Sequence, residues 1–292
     1  MRPPKLSQRS LGQRVKSWRR TLTSGASHFS PDLVDLRSKT DHPVEALYLS
    51  AGRPFLLNVP MTRCRTFGLA LDRDNPLVRT LQDYGEGRRT KAQDSFLSEY
   101  YRFWQPATIA DALGLPRETA SGPLHQSPRN GLLLPWSSGA SLADRTSRLA
   151  RLEVQELSRE LKLEPELIDG ILYYGPVSDA FLMMTFQRLV RIYESIRQNG
   201  YRESDSDRMR GRLHLSGEEW RAHMISGKHR IAALVALGHE FVPLQIGPGV
   251  PVRRSEHRAW PNVTNRTFSP SEALNVFDRY FEGRFPQRAS SR

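Results

Sequence analysis

A single cysteine, Cys64, serves 292 residues. With no second thiol the chain forms no internal disulfide and no cysteine-rich zinc site, so a stapled scaffold is excluded and a reducing compartment fits. Long hydrophobic runs are also missing. The basic opening MRPPKLSQRSLGQRVKSWRR is not followed by the roughly 7 to 15 apolar residues of a secretory signal, and nothing later approaches the roughly 18 of a membrane span. The expectation is a soluble cytoplasmic protein with no membrane span. Negative charge is the third scarcity: 31 Asp and Glu stand against 43 Lys and Arg, a formal charge of +12. That excess suits phosphate, whether on nucleic acid, nucleotide or an anionic membrane surface, though a charge sum speaks to attraction and not to fold. Hydrophobic residues make up 38%, enough to bury a core over a length of roughly two domain units, with some chain left over as tail.

Residues 1 to about 45 carry Arg2, Lys5, Arg9, Arg14, Lys16, Arg19 and Arg20 before the first acidic residue, Asp32. The segment reads as a tail without a packed structure, either merely solvated or an arm for phosphates of nucleic acid or acidic lipid. The fold is expected to begin in residues 46–95. EALYLSAGRPFLLNVPM offers Leu47, Phe55, Leu56, Leu57 and Val59 as strand material broken by Gly52 and Pro54. Asp74-Asn75-Pro76 then announces an N-capped helix with Leu77, Leu81 and Tyr84 at helical spacing. Residues 96–178 read as a mostly helical insert. Leu97, Tyr100, Tyr101 and Trp104 fall on one side of a short helix, a spacing that belongs to a core before it belongs to base stacking, and a Pro-rich loop precedes the charged helix RTSRLARLEVQELSREL.

The signals sharpen over residues 179–250. FLMMTFQRLVRIYESIRQNGY is an amphipathic helix with Phe186, Leu189, Val190, Tyr193 and Ile196 as its apolar face and Asn199-Gly200 as its stop. WRAHMISGKHRIAALVALGHEFVPLQIG reads as a strand from Trp220 to Ile225, a tight Ser226-Gly227 turn, a helix from about Lys228 to Leu237, and a strand from Phe241 to Ile246. That helix has no charge after Arg230 and should be buried nearly all round. Residues 251–292 form an extension with one amphipathic stretch, SPSEALNVFDRYFEG.

The chemistry concentrates at Ser226, Gly227, Lys228, His229 and Arg230. The first turn of a helix leaves backbone N–H groups unpaired and carries the positive end of the helix dipole, so three cationic-type residues in a row there oppose the dipole and ask for a compensating anion. A phosphate supplies it by taking the amides, the Arg fork and the Lys charge together; a solvated basic cap balanced by nearby acids such as Glu218 and Glu219 is the plainer alternative. The run is not a Walker A loop, because Ala222 stands where the first glycine belongs and His229 where Ser or Thr holds Mg²⁺. His214 and His223 have no acidic companion at metal spacing, and Asp205-Ser206-Asp207 reads as turn chemistry before a metal-nucleotide motif.

On these residues the stretch from Arg188 to Ile246 resembles the ParB/sulfiredoxin superfamily. The resemblance lies in the pattern GxHR.AA, here Gly227, His229, Arg230, Ala232 and Ala233, with Ser195-Ile196, Gly200-Tyr201, Ala236-Leu237-Gly238 and Val242-Pro243 in family order and NVPMTRCR similar to the family's opening strand. It implies an α/β (α+β mixed) fold, a small sheet with packed helices, discontinuous over residues 55–95 and 180–250. It also implies a nucleotide, ATP, ADP or CTP, with Mg²⁺, bound at the glycine motif. Two departures limit the transfer. Lys228 stands where sulfiredoxins have their catalytic cysteine, and only about 45 residues follow Gly247, too few for the helix-turn-helix and dimerisation segments of partition proteins. The expectation is therefore a nucleotide-dependent phosphotransferase or NTPase. Its candidate acidic residues are Asp72 and Asp74, where superfamily kinases keep catalytic carboxylates, and Glu218 and Glu219 beside the motif strand. A nucleic-acid-binding or accessory protein without turnover is the alternative, and a nuclease ranks last for want of clustered carboxylates.

Overall fold

The computed structural model describes residues 33–118, 120, 122–128, 132–137, 174–203, 207–247 and 249–284. The charged helix expected around residues 145–161, the basic opening segment and Asp205-Ser206 lie outside the described residues. The fold is mixed α/β, built on one mixed sheet of eight strands.

The described chain begins with a short strand β1 (Val34–Asp35), earlier than the expected start near residue 46, and a helix α1 (Pro43–Leu49). Leu47, expected as strand material, therefore lies on a helix, because Pro43 presets the first turn and Gly52 with Pro54 separates this segment from β2 (Phe55–Pro60). Strands β3 (Cys64–Thr66) and β4 (Leu69–Ala70) follow. Helix α2 (Pro76–Gly85) starts where Asn75 accepts from the N–H groups of Leu77 and Val78 at 3.1 and 3.4 Å. The first part of the expected insert supplies α3 (Phe96–Phe103) and α4 (Ile109–Leu113). Leu97, Tyr100 and Tyr101 are buried core residues.

Helix α5 (Asp179–Asn199) is opened by the Ser178 side chain and closed at Gly200. A hairpin of β5 (Arg210–Ser216) and β6 (Glu219–Ser226) leads through Gly227 into α6 (Lys228–Ala236) and then β7 (Phe241–Ile246). The extension forms β8 (Val252–Arg253), α7 (Pro261–Thr264) and α8 (Pro270–Glu282), the last opened by a reciprocal Ser269–Glu272 cap.

The sheet runs β1-β2-β7-β5-β6-β3-β4, with β8 pairing the far half of β5. Strands distant in sequence thus become neighbours: β2 runs antiparallel to β7, with Leu57 opposite Leu244, and β3 runs parallel to β6, with Cys64 opposite Ala222. Side chains alternate across the pleat. Trp220, Ala222 and Met224 of β6 join Leu213 and Leu215 of β5 in the larger core with α2, α5 and α6. Arg221 and His223 point to the other face, where α8 covers them through Phe281 and Tyr280. The α6 helix is buried over Ile231 to Leu234, while Val235 to Leu237 are only partly so. No helix among the described residues is long and apolar enough to cross a membrane.

Candidate functional site

Strand β6 ends against a residue that only glycine can supply. Gly227 sits at φ 81°, and a Cβ there would fall 2.4 Å from Cγ of the buried Met209. The chain turns directly into α6 with no side chain capping its first N–H groups, so Lys228, His229 and Arg230 surround an open helix amino terminus.

Helix α5 packs beside α6 and brings a second set of cations. Arg188, Arg191, Ser195 and Asn199, three or four residues apart and hence on one helical face, line a cleft of about 1010 Å³ with Gly200, Tyr201, Arg202, Asp207 and the run Ile225 to Arg230. Five permanent cations, Arg188, Arg191, Arg202, Lys228 and Arg230, thus share this cleft with one carboxylate among the described residues. That carboxylate, Asp207, is engaged: its Oδ1 accepts from Arg230 Nη2 at 2.9 Å, and its backbone carbonyl accepts from Nη1. Arg191 and Arg202 form no ion pair among the described residues. Lys228 places its ammonium 4.3 Å from the centroid of the Phe67 ring.

His229 is held neutral. Burial first, then the nearby Arg188 and Lys228, push its pKa down to about 3, and its Nε2 is shielded from solvent without a hydrogen-bond partner. A buried polar nitrogen without a partner is an unsatisfied group in this packing, and His229 is among the residues that line the cleft. Burial likewise raises the pKa of the Tyr201 phenol, which keeps it a hydrogen-bond donor at neutral pH.

The four acidic candidates stand elsewhere. Asp72 and Asp74 shape the turn before α2, where Asp72 Oδ1 accepts from the Asp74 N–H at 3.0 Å, and Asp74 lines a separate hollow with Arg73, Arg79, Asp83 and Arg88. Glu218 lies in the β5–β6 turn, and Glu219 accepts from Arg221 at 2.9 Å and from Arg63. Glu219 and Ser226 are the two ends of an eight-residue strand, roughly 23 Å apart at the rise of a β-strand. The structure therefore gathers Ser226 to Arg230 in one cleft and leaves Asp72, Asp74, Glu218 and Glu219 outside it.

Arg188, Arg191 and Arg202 are cleft residues that motif reading missed, and Asp207 is one it read as turn chemistry. Arg188 and Arg191 signalled themselves only as an Arg pair three residues apart on the polar side of an amphipathic helix, and nothing local says which neighbour that side faces. His214 and His223 meet across the hairpin with ring centroids 5.4 Å apart, but on the α8 side of the sheet. Among the described residues no group of three His, Cys, Asp or Glu is placed to hold a metal ion. Cys64 is fully buried, and burial pushes its thiol up to about 12, the opposite of a reactive thiolate.

Mg²⁺ asks for oxygen ligands in an octahedron, with one or two carboxylates from the protein. Among the described residues the cleft offers one carboxylate, Asp207, with its Oδ1 held by Arg230 and its side chain 74% exposed, enough for one such ligand and not two. Comparison of the chain with protein-family models, curated proteins and solved structures finds no match.

Proposed function

We propose that the cleft between α5 and α6 binds the phosphates of a nucleotide, ATP, ADP or CTP, and that the chain is a phosphotransferase or NTPase built around that site. The observation that carries the proposal is the convergence of Arg188, Arg191, Arg202, Lys228 and Arg230 on a helix amino terminus with no side-chain cap, with one carboxylate among the described lining residues. Arg forks and backbone N–H groups bind phosphate oxygens in charge-assisted hydrogen bonds, and the Gly227 backbone leaves room for close approach. The resemblance of Gly227, His229, Arg230, Ala232 and Ala233 to the ParB/sulfiredoxin pattern assigns the same turn the same ligand. The sharing of one sheet by Phe55–Thr66 and Arg210–Ile246 is in keeping with that family's discontinuous domain.

Binding rests on the cations, and turnover rests on Asp207, the carboxylate that lines the cleft among the described residues. Positive charge already set around the phosphates favours the charge that develops on them as a phosphoryl group departs. Thermal shift against ATP, ADP, CTP and GTP tests the binding, since a ligand of the native state raises the midpoint by mass action. The wild type is expected to shift with at least one nucleotide, and Arg191→Ala and Arg230→Ala to lose the shift. An unchanged shift in both variants would move the ligand elsewhere.

A further inference from the structure

We infer that the apolar rim where α1 meets the loop after β7 rests on an anionic membrane surface, held there by protruding hydrophobic side chains and by the basic segment that enters the fold beside them. The inference is independent of the nucleotide reading. Among the described residues, Tyr48, Leu49, Ile225 and Val250 are exposed hydrophobic side chains around one hollow, which is lined by Leu47, Ile225, Gly249 and Pro251. Tyr48 and Leu49 follow Leu47, and Val250 stands between Gly249 and Pro251. Surface hydrophobics scattered singly are ordinary, but a group of them around one point marks an interaction site. The hollow itself encloses about 40 Å³, far below the roughly 300 Å³ of a pocket that grips a small molecule. With Tyr48 82% and Val250 77% exposed, the apolar groups stand out from the surface and suit a soft, extended phase better than a shaped ligand.

Their chemistry matches the boundary of a bilayer. Tyrosine favours the headgroup level, where its ring is apolar and its hydroxyl wet, and aliphatic tips reach the top of the acyl chains. Charge is complementary as well. Arg212 lines the hollow and Arg53 lies in the turn after α1, both exposed and neither in an ion pair among the described residues. Glu45, the carboxylate of α1, is engaged by the Thr40 hydroxyl. Seven Lys and Arg between residues 2 and 20 precede the first acidic residue, Asp32, and the chain that carries them joins the fold at the patch. The Val34 N–H donates to the Pro54 carbonyl at 3.0 Å, and a methyl on Gly247, which also lines the hollow, would lie 3.7 Å from the Pro54 Cα. Apolar insertion or basic charge alone holds a protein to a membrane weakly, and stable attachment takes both. Nucleic acid would use the same cations but leave the aliphatic tips in water.

Co-sedimentation of the full chain with vesicles tests this, using phosphatidylcholine alone and phosphatidylcholine mixed with an equal share of phosphatidylglycerol. Partitioning onto the anionic vesicles is expected to exceed that onto the neutral ones about tenfold or more. Tyr48→Asp and Val250→Asp should each lower it about fivefold or more and leave the thermal unfolding midpoint in place, since both side chains are exposed. Arg19→Ala and Arg20→Ala should each lower it about fivefold, the worth of one basic side chain near an anionic surface. Equal partitioning onto both kinds of vesicle, or none onto either, overturns the inference. So does anionic binding that Tyr48→Asp and Val250→Asp leave unchanged, because the patch would then take no part. Binding of a single-stranded oligonucleotide in place of vesicles would assign the basic segment to nucleic acid, and a dimer in light scattering that Val250→Asp dissolves would assign the patch to a second copy; either result overturns it.

Discussion

Arg65 donates its Nε to the backbone carbonyl of Phe281 at 3.0 Å, tying a buried cation of β3 to the last turn of α8. Its Nη1 donates to the carbonyls of Thr62 and Cys64 at 2.9 and 2.8 Å. The guanidinium thus replaces water with three carbonyl acceptors. Burial, then the proximity of Arg221, lowers its pKa to about 10, which leaves it charged at neutral pH. Arg65→Met should cost roughly 2 to 4 kcal/mol in urea unfolding by stranding buried carbonyls. Arg65→Lys should recover only part of the loss, because an ammonium cannot span both groups of acceptors. Equal stability of wild type and Arg65→Met would show that α8 docks without this bond.

The histidine pair sets an acid limit. His214 is 4% exposed with its Nε2 unpartnered, and His223 stacks on Tyr280 at an interplanar angle of 14°. Burial first, then neighbouring cationic groups, holds His214 well below the usual imidazole range and pushes His223 down to about 3. Arg212, Arg65 and Lys228 are the charges around His223. A folded pKa below the unfolded value gives stability that is complete above about pH 6.5 and is lost as pH falls toward about 3, at about 1.4 kcal/mol per pH unit for each histidine. The midpoint of thermal unfolding should fall steadily from pH 7.5 to 4.5, and His214→Phe should flatten that slope. Asp35, Asp111 and Glu219, whose pKa values are lowered with arginine partners beside them, add their loss only from about pH 4 downward, so the histidine loss shows by itself above that.

Arg230 and Asp207 should separate binding from stability. The pair has its Asp207 side chain 74% exposed, and pairs of this kind contribute about 0 to 1 kcal/mol. Arg230→Ala should leave the unfolding midpoint nearly unchanged and weaken nucleotide binding about tenfold or more, the worth of one charge-assisted contact. A variant that unfolds several degrees early yet binds normally would make Arg230 a structural residue.

Gly227→Ala should damage both properties. The backbone is at φ 81° and the added methyl meets Met209, so strain and displacement together should cost roughly 1 to 3 kcal/mol. The first turn of α6 would shift with it. Thermal shift should show a lower midpoint and a smaller nucleotide response; a variant with the wild-type midpoint would mean that β6 and α6 tolerate a different turn.

Salt should report the charge of the cleft. Affinity that depends on several Arg and Lys contacts falls steeply as ionic strength rises through the physiological range. A Kd measured at low and at physiological salt should differ by about tenfold or more, and Arg191→Ala should reduce that difference.

By itself the sequence determined the local elements wherever period and punctuation agreed. The β6, Gly227, α6, β7 unit lies within a residue of its expected bounds because an apolar helix flanked by glycines has one stable reading. The Asn75 and Ser269 helices are legible for the same reason, since their caps act within three residues. Where apolar residues were few and turns frequent, as around Leu47, helix and strand were not separable by pattern, and packing on the sheet decided for a helix. The site divides likewise. Ser226 to Arg230 could be found from sequence because a helix amino terminus concentrates its chemistry locally. Arg188, Arg191 and Arg202 could not, Asp207 was read as a turn residue, and Glu218 and Glu219 were misjudged as neighbours, because adjacency along a strand means distance in space. Only the packing of α5 against α6 brings Arg188 and Arg191 to this turn, and only the tertiary structure can say which polar face of an amphipathic helix meets a charge of the same sign.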